Sequence, residues 1–263
     1  MDKLLSNPIS VQLEITSNCN YLCRHCYNYW RYETTGQSHI KEENNIPVSL
    51  DKIIDADVFH VVVTGGEPLF AFEKSLYAIQ KLNENNIKVN MNSNLALLDN
   101  KKAKSLKEAG LRHILTSVYS CHKEDNNYQM NNHRALEKTI KGALVAIDND
   151  FSVSTNMVVN KKNFNDVYAT GKYLFEQGLS GFNATRFVPA VNSQLEESLS
   201  REEVVIMLEQ LQLLKDEGYR VGTLNPIAHC FENGKYKELT QNRGCSAGVT
   251  SVGIGSSGDV RAC

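Results

Sequence analysis

His60-Val-Val-Val-Thr64-Gly65-Gly66-Glu67-Pro68 sets a β-branched run against two glycines, a carboxylate and a proline. The run reads as a short buried strand, the glycine pair as a tight turn, and the residues beyond Pro68 as a helix. Comparable runs lie on either side: Ile9–Ile15 before it, then Ile87–Met91, His113–Ser117, Phe151–Val159 and Gly181–Val188. Helical periodicity returns between them, as where Leu136, Ile140, Ala143, Leu144 and Ile147 share one face. Strands and helices alternating at intervals of roughly 25–35 residues predict right-handed βαβ units and a parallel sheet, open or curled into a barrel. Six such units fall short of the eight in a closed barrel. In these sheets chemistry sits at the carboxyl ends of the strands, so the residues after each run carry the functional reading.

One more helix marks its own start. Ser200-Arg-Glu-Glu203 is a capping box, Leu199 and Val204 can staple it, and Gly218 stands where a left-handed residue would end it, which predicts a helix from Arg201 to Glu217. Beyond Gly218 the periodicity fades. Cys230, Cys245 and Cys263 appear, and Val249–Ile254 with Asp259–Ala262 read as a hairpin around Gly255-Ser-Ser-Gly258.

Hydrophobic residues make up 41% of the 263 positions, enough for a substantial core and against a disordered or fibrous chain. The 28 Lys and Arg nearly balance the 30 Asp and Glu, so no bulk attraction to nucleic acid or to an anionic membrane is expected. The start lacks the apolar core of a signal peptide and no apolar run has spanning length, which predicts a cytoplasmic protein without nucleic-acid or membrane partners. Seven cysteines are an odd number, and three of them crowd into Cys19-Asn-Tyr-Leu-Cys23-Arg-His-Cys26 after the first strand. In a reducing compartment that favours metal binding over disulfides.

Three thiols on one loop can hold three corners of an iron–sulfur cube, and the corner left open could bind a substrate atom. A c-type haem fails, because Tyr27 and not a histidine follows Cys26. Zinc held by the three cysteines with His25 or a distant ligand stays open. The turn Gly65-Gly66-Glu67-Pro68 lets backbone approach a ligand and adds a carboxylate. Alone it is merely a tight turn, but a parallel sheet would set it beside the cysteine loop.

Taken together, the Cys-x3-Cys-x2-Cys loop after strand one and the Gly-Gly-Glu-Pro turn after strand two resemble the radical S-adenosylmethionine (SAM) superfamily. The resemblance implies an α/β fold, a partial (βα)6 barrel over residues 1–225. It also implies that Cys19, Cys23 and Cys26 hold a 4Fe-4S cluster whose fourth iron is chelated by SAM, with Gly65, Gly66, Glu67 and Pro68 receiving the SAM ammonium. An electron passed from the cluster would then cleave SAM, and the 5′-deoxyadenosyl radical would take hydrogen from a substrate. By the same similarity Asn92 and Ser117, after strands three and four, would touch SAM, and Asn156 and Arg186 occupy comparable places after strands five and six. His25 stands where the family has an aromatic residue facing adenine. No catalytic residue is assigned beyond the cluster ligands, and Cys121 reads as a small buried hydrophobe.

Cys245, Gly258 and Cys263 resemble the opening of a SPASM or twitch region, which implies an auxiliary 4Fe-4S site over residues 226–263. Cys245 and Cys263 would be partial ligands, with Cys230 a further candidate. The family continues with more cysteines, so the sequence reads as truncated at Cys263, and the short stretch before Ile9 leaves no room for a peptide-recognition domain. The expected function is peptide or protein modification by crosslinking, thioether formation or epimerisation, with a low-potential ferredoxin or flavodoxin as electron donor. Dehydrogenation or rearrangement of a small molecule is the alternative, and a zinc-binding module is the reading from outside enzymology.

Overall fold

The computed structural model describes residues 5–28, 45–189, 192–228, 234–240 and 244–262. The predicted alternation is present. Strands β1 (Ser10–Glu14), β2 (His60–Thr64), β3 (Lys88–Asn92), β4 (His113–Ser117), β5 (Ser152–Val159) and β6 (Gly181–Arg186) follow one another in the sheet, each parallel to the next. Helices α1 (Ile46–Asp55), α2 (Phe72–Glu84), α3 (Asn100–Glu108), α4 (Lys123–Gln129), α5 (Ala135–Asp148), α6 (Val167–Glu176) and α7 (Arg201–Asp216) lie between and after them. The sixth strand is shorter than the run Gly181–Val188 suggests, although the Phe187 N–H still reaches Val159 O (2.7 Å).

Alternation along each strand divides the sheet into two faces. Val61 and Val63 of β2, Leu13 of β1, Met91 of β3 and Ile114 of β4 are buried and join one core with Leu50, Ile79, Leu106 and Leu208 from the helices. Each such side chain contributes about 1.5–3 kcal/mol on burial. The other face is concave: Gln12, Val62, Asn90, His113, Ser154 and Asn183, one from each of β1 to β6, line a single cavity. A sheet whose strands share one cavity has curled, which makes this the partial barrel expected.

Helix α7 has both halves of its capping box: Ser200 accepts from the Glu203 N–H (3.2 Å), and the Ser200 N–H donates to Glu203 (2.6 Å). Gly218 follows it at φ +89°, as predicted. In α5 the buried face is Leu136, Thr139, Ile140, Gly142, Ala143 and Ala146, while Leu144 is exposed. The apolar stripe is therefore rotated from the one read off the sequence, because Gly142 admits the Leu95 backbone where a larger side chain would not.

Two additions extend the sheet. A two-residue strand β7 (Val221–Gly222) pairs with β6. The expected hairpin forms as β8 (Ser251–Ile254) and β9 (Val260–Arg261), antiparallel to each other, but β8 also pairs in parallel with β1, giving the order β7-β6-β5-β4-β3-β2-β1-β8-β9. The tail thus continues the barrel sheet. No helix among the described residues is long and apolar enough to cross a membrane.

Candidate active site

From Glu14 the chain passes through Thr16 to the three thiols at the carboxyl end of β1. The Cys26 N–H donates to Cys23 O (3.1 Å), so those two cysteines share a tight turn, and the Arg24 N–H donates to Gln129 O (2.8 Å), which fastens the loop to α4. Cys19 and Cys23 pack on a small apolar cluster of Tyr21, Tyr119, Met130 and Ala135, apart from the main core. Cys23 Sγ lies 3.4 Å from Met130 Sδ, and the Tyr21 N–H points at Cys19 Sγ (3.4 Å). All three thiols are half-buried.

The glycine turn meets this loop through backbone. The Gly66 N–H donates to Thr16 O (2.6 Å) and the Glu67 N–H to Asn18 O (2.8 Å). A Cβ at Gly66 would sit 2.0 Å from Asn18 O, and Gly65 is held at φ +130° with its missing Cβ 2.4 Å from Thr16 O. Only glycine fits at either position. Glu67 is 1% exposed, and its Oε1 accepts from the Leu69 N–H (2.9 Å) and the Ser93 hydroxyl (2.7 Å), while Oε2 accepts from the Asn94 N–H (2.8 Å). Burial pushes its pKa up, and these three donors oppose that shift. Asn94 Nδ2 in turn donates to Asn20 Oδ1 (2.8 Å), so the end of β3 also grips the cysteine loop. Pro68 is buried and opens a one-turn 3-10 helix, Pro68–Ala71, that Glu67 caps.

Asn92 lines the concave cavity. Ser117 and Asn156 are register partners on the same face, and Asn156 Oδ1 accepts from the Thr185 hydroxyl (2.6 Å). Arg186 departs from the expectation. It is exposed and in register with Val159, whose side chain belongs to the core, so strand alternation turns it to the sheet face opposite Asn156 and Thr185. His25 stacks on Tyr119 with centroids 5.9 Å apart at 17°, and burial pushes its pKa down to about 4, which leaves the ring neutral. The Tyr119 hydroxyl donates to Asn160 Oδ1 (2.6 Å), whose amide donates to Glu197 (2.6 Å). Tyr119, Met130 and Asn94 were not singled out by sequence. Only Asn94, in the polar run Met91-Asn-Ser-Asn-Leu95, carried a signal there.

Cys121 is half-buried, and burial raises its thiol pKa. Cys245 is exposed and precedes β8, which runs parallel to β1, so it lies toward the amino ends of the strands, away from the three-thiol loop. Cys230 and Cys263 lie outside the described residues. Among the described residues no three His, Cys, Asp or Glu side chains gather as ligands of a single metal ion.

The family model of the radical SAM superfamily matches residues 13–174, from β1 to α6. The chain belongs to the radical SAM superfamily. Among curated relatives it is 26% identical to an Fe-coproporphyrin III synthase of Methanosarcina barkeri, over 92% of this chain and 64% of that protein. It is 24% identical to a GTP 3′,8-cyclase of Campylobacter lari, over 84% of this chain and 73% of that protein. Among solved structures it resembles Streptococcus suis SuiB bound to its precursor peptide SuiA, with TM-score 0.79 and 16% identity, over 99% of this chain and 60% of SuiB. It also resembles anSMEcpe with bound AdoMet, with TM-score 0.72 and 20% identity, over 97% of this chain and 75% of that one. The chain thus spans less than two thirds of the length of the Methanosarcina relative and of SuiB.

Radical SAM proteins are enzymes that use a 4Fe-4S cluster and SAM, which sets aside the zinc-binding module. The residues at the carboxyl end fit both. Three soft thiols, two of them (Cys19 and Cys23) backed by Tyr and Met side chains, are the donors and the apolar setting that iron–sulfur clusters favour. Beside them His25 Nδ1, Asn28 Oδ1 and both amide atoms of Gln129 are buried without a partner among the described residues. Buried polar atoms are normally bonded, so these are suited to a polar ligand seated on the loop.

Proposed function

We propose that Cys19, Cys23 and Cys26 ligate the 4Fe-4S cluster and that SAM lies along the adjoining strand ends. The observation that carries this is the interlock of the two motifs: Gly66 and Glu67 donate to Thr16 and Asn18, immediately ahead of Cys19. In this reading Gly65, Gly66 and Pro68 shape the floor, and Glu67 holds it rigid through Ser93 and Asn94. Asn92, Ser117 and Asn156 offer polar contacts from the concave face, and neutral His25, braced by Tyr119, faces the adenine. Bound together, cluster and SAM supply one-electron cleavage that generates a hydrogen-abstracting radical. The chain's part is to orient SAM and exclude water from the reacting end of the barrel.

The substrate proposed is a peptide or protein. Support comes from the resemblance to SuiB with SuiA and to anSMEcpe with the Cp18Cys peptide, and from the hairpin after Cys245. Cys245 with Cys263, and Cys230 as a third candidate, are proposed to contribute to an auxiliary cluster, with a low-potential ferredoxin or flavodoxin as donor. A second reading, a small-molecule substrate, draws on the cyclase and synthase relatives.

The test is the variant with Cys19, Cys23 and Cys26 all changed to Ala, reconstituted anaerobically with iron and sulfide and assayed beside the wild type with SAM and dithionite as the electron source. It should retain the helical circular dichroism of the wild type and form no 5′-deoxyadenosine. Appreciable 5′-deoxyadenosine would sink the ligand assignment. Deuterium transfer into 5′-deoxyadenosine from a labelled peptide, or from a labelled metabolite, separates the two substrate readings.

A further inference from the structure

The concave cavity that Asn92 lines continues toward the amino ends of the strands, where it meets a second cavity. Two adjoining cavities of about 480 and 630 Å³ share Asn90, His113 and Arg220. Lys88 and Arg112 stand at the same opening, and no Asp or Glu among the described residues lines either cavity, although acids outnumber Lys and Arg in the chain. Chance mixing of charges does not favour so one-sided a lining.

The cations are available. Among the described residues Arg112 Nη1 donates to the backbone carbonyls of Lys107 (2.7 Å) and Leu111 (2.8 Å) and to no carboxylate. Lys88 and Arg220 form no ion pair among the described residues. Arg220 lies against the inward-facing Gly181, where a Cβ would come within 3.1 Å of its Nε. His113 is held between Ser154 Oγ (3.0 Å from Nε2) and Ser152 Oγ (3.3 Å from Nδ1). Burial, followed by Arg220 and Lys88, pushes its pKa down, so it adds a hydrogen-bonding ring and no charge near neutral pH. His60 begins β2 at this same end, and its Nε2 is buried without a partner among the described residues.

We propose that this amino-end basin binds an oxyanion of the substrate, a carboxylate or a phosphate group, between Lys88 and Arg220, with Asn90 as a neutral donor. A guanidinium and an ammonium facing one concave volume attract an oxyanion more strongly than the same groups on a flat surface. Such a subsite would hold one end of a substrate while the rest extends through the barrel toward the strands' carboxyl ends. The inference rests on the proposed function only for the identity of the molecule that carries the oxyanion.

The test is calorimetric titration of the full chain, reconstituted with its cluster, at matched ionic strength with two probes, sodium pyrophosphate and sodium glutarate. Saturable one-site binding of either probe is expected, weakened at least about tenfold by the double variant Lys88→Gln, Arg220→Gln. Pyrophosphate alone would assign a phosphate group, glutarate alone a carboxylate, and each would support the subsite. Absence of saturable binding by both, or undiminished binding by the double variant, would overturn it. Both substituted residues are exposed, and a melting curve matching wild type confirms that the fold survives. SAM affinity measured on the same samples should be unchanged, so failure of this subsite and failure of the carboxyl-end site are read independently.

Discussion

The Arg261 guanidinium on β9 forms an ion pair with the Glu14 carboxylate at the end of β1. Glu14 also accepts from the Tyr27 hydroxyl (3.2 Å), the residue after Cys26. One nearly buried carboxylate therefore joins the C-terminal hairpin to the cysteine loop. Arg261→Ala should cost about 2 kcal/mol in urea unfolding, less than for a fully buried pair because the arginine is partly exposed. In a Glu14→Gln background Arg261→Ala should lose most of its effect, which a double-mutant cycle measures.

Gly66→Ala places a methyl against backbone that has no freedom to withdraw, since Thr16 and Asn18 are themselves bonded to the turn. A loss of about 3 kcal/mol or more is expected. Iron content per chain after reconstitution should fall along with stability, because the same segment leads into Cys19.

Glu67→Ala strands the Ser93 hydroxyl and the backbone N–H groups of Leu69 and Asn94. About 3 kcal/mol of stability should go with it, by differential scanning calorimetry. SAM affinity, read by equilibrium dialysis, should drop about tenfold or more while the visible absorbance of the cluster changes little. Unaltered SAM affinity would remove Glu67 from the site.

Burial, with Arg220 and Lys88, holds the His113 pKa below its ordinary value of 6.5, and burial does the same to His60. Below about pH 6.5 the unfolded chain binds protons that the folded chain refuses, so stability is complete above that pH and is lost as pH falls through it. The melting temperature should decline between about pH 7 and pH 5, and His113→Asn should flatten the decline. Arg220→Gln should raise the His113 titration midpoint, followed by NMR of the imidazole C–H.

Much of this architecture was legible in the sequence because its signals are local. The run His60–Thr64, the glycines that follow it and the box Ser200–Glu203 each specify their own conformation within a few residues, and the structure reproduces all three. The pairing of β8 with β1 was not legible, since it joins residues about 240 positions apart and leaves no local pattern. The same holds for the Glu67 link to Ser93 and the Cys23 contact with Met130. The face that Arg186 takes was not legible either, since it depends on register, which a single sequence does not display.

The placement of β1 between β2 and β8 also bears on how the chain comes off the ribosome. The strand that leads to the thiols gains its first neighbour when residue 64 emerges, yet keeps one ladder of unsatisfied amides until residue 254 has been made. Pairing across such a separation is slow, and an open strand edge is a template for association between nascent chains. Biogenesis of this protein is thus exposed at the strand that leads into the cysteine loop, and β8, made long after β2, is what closes its open edge.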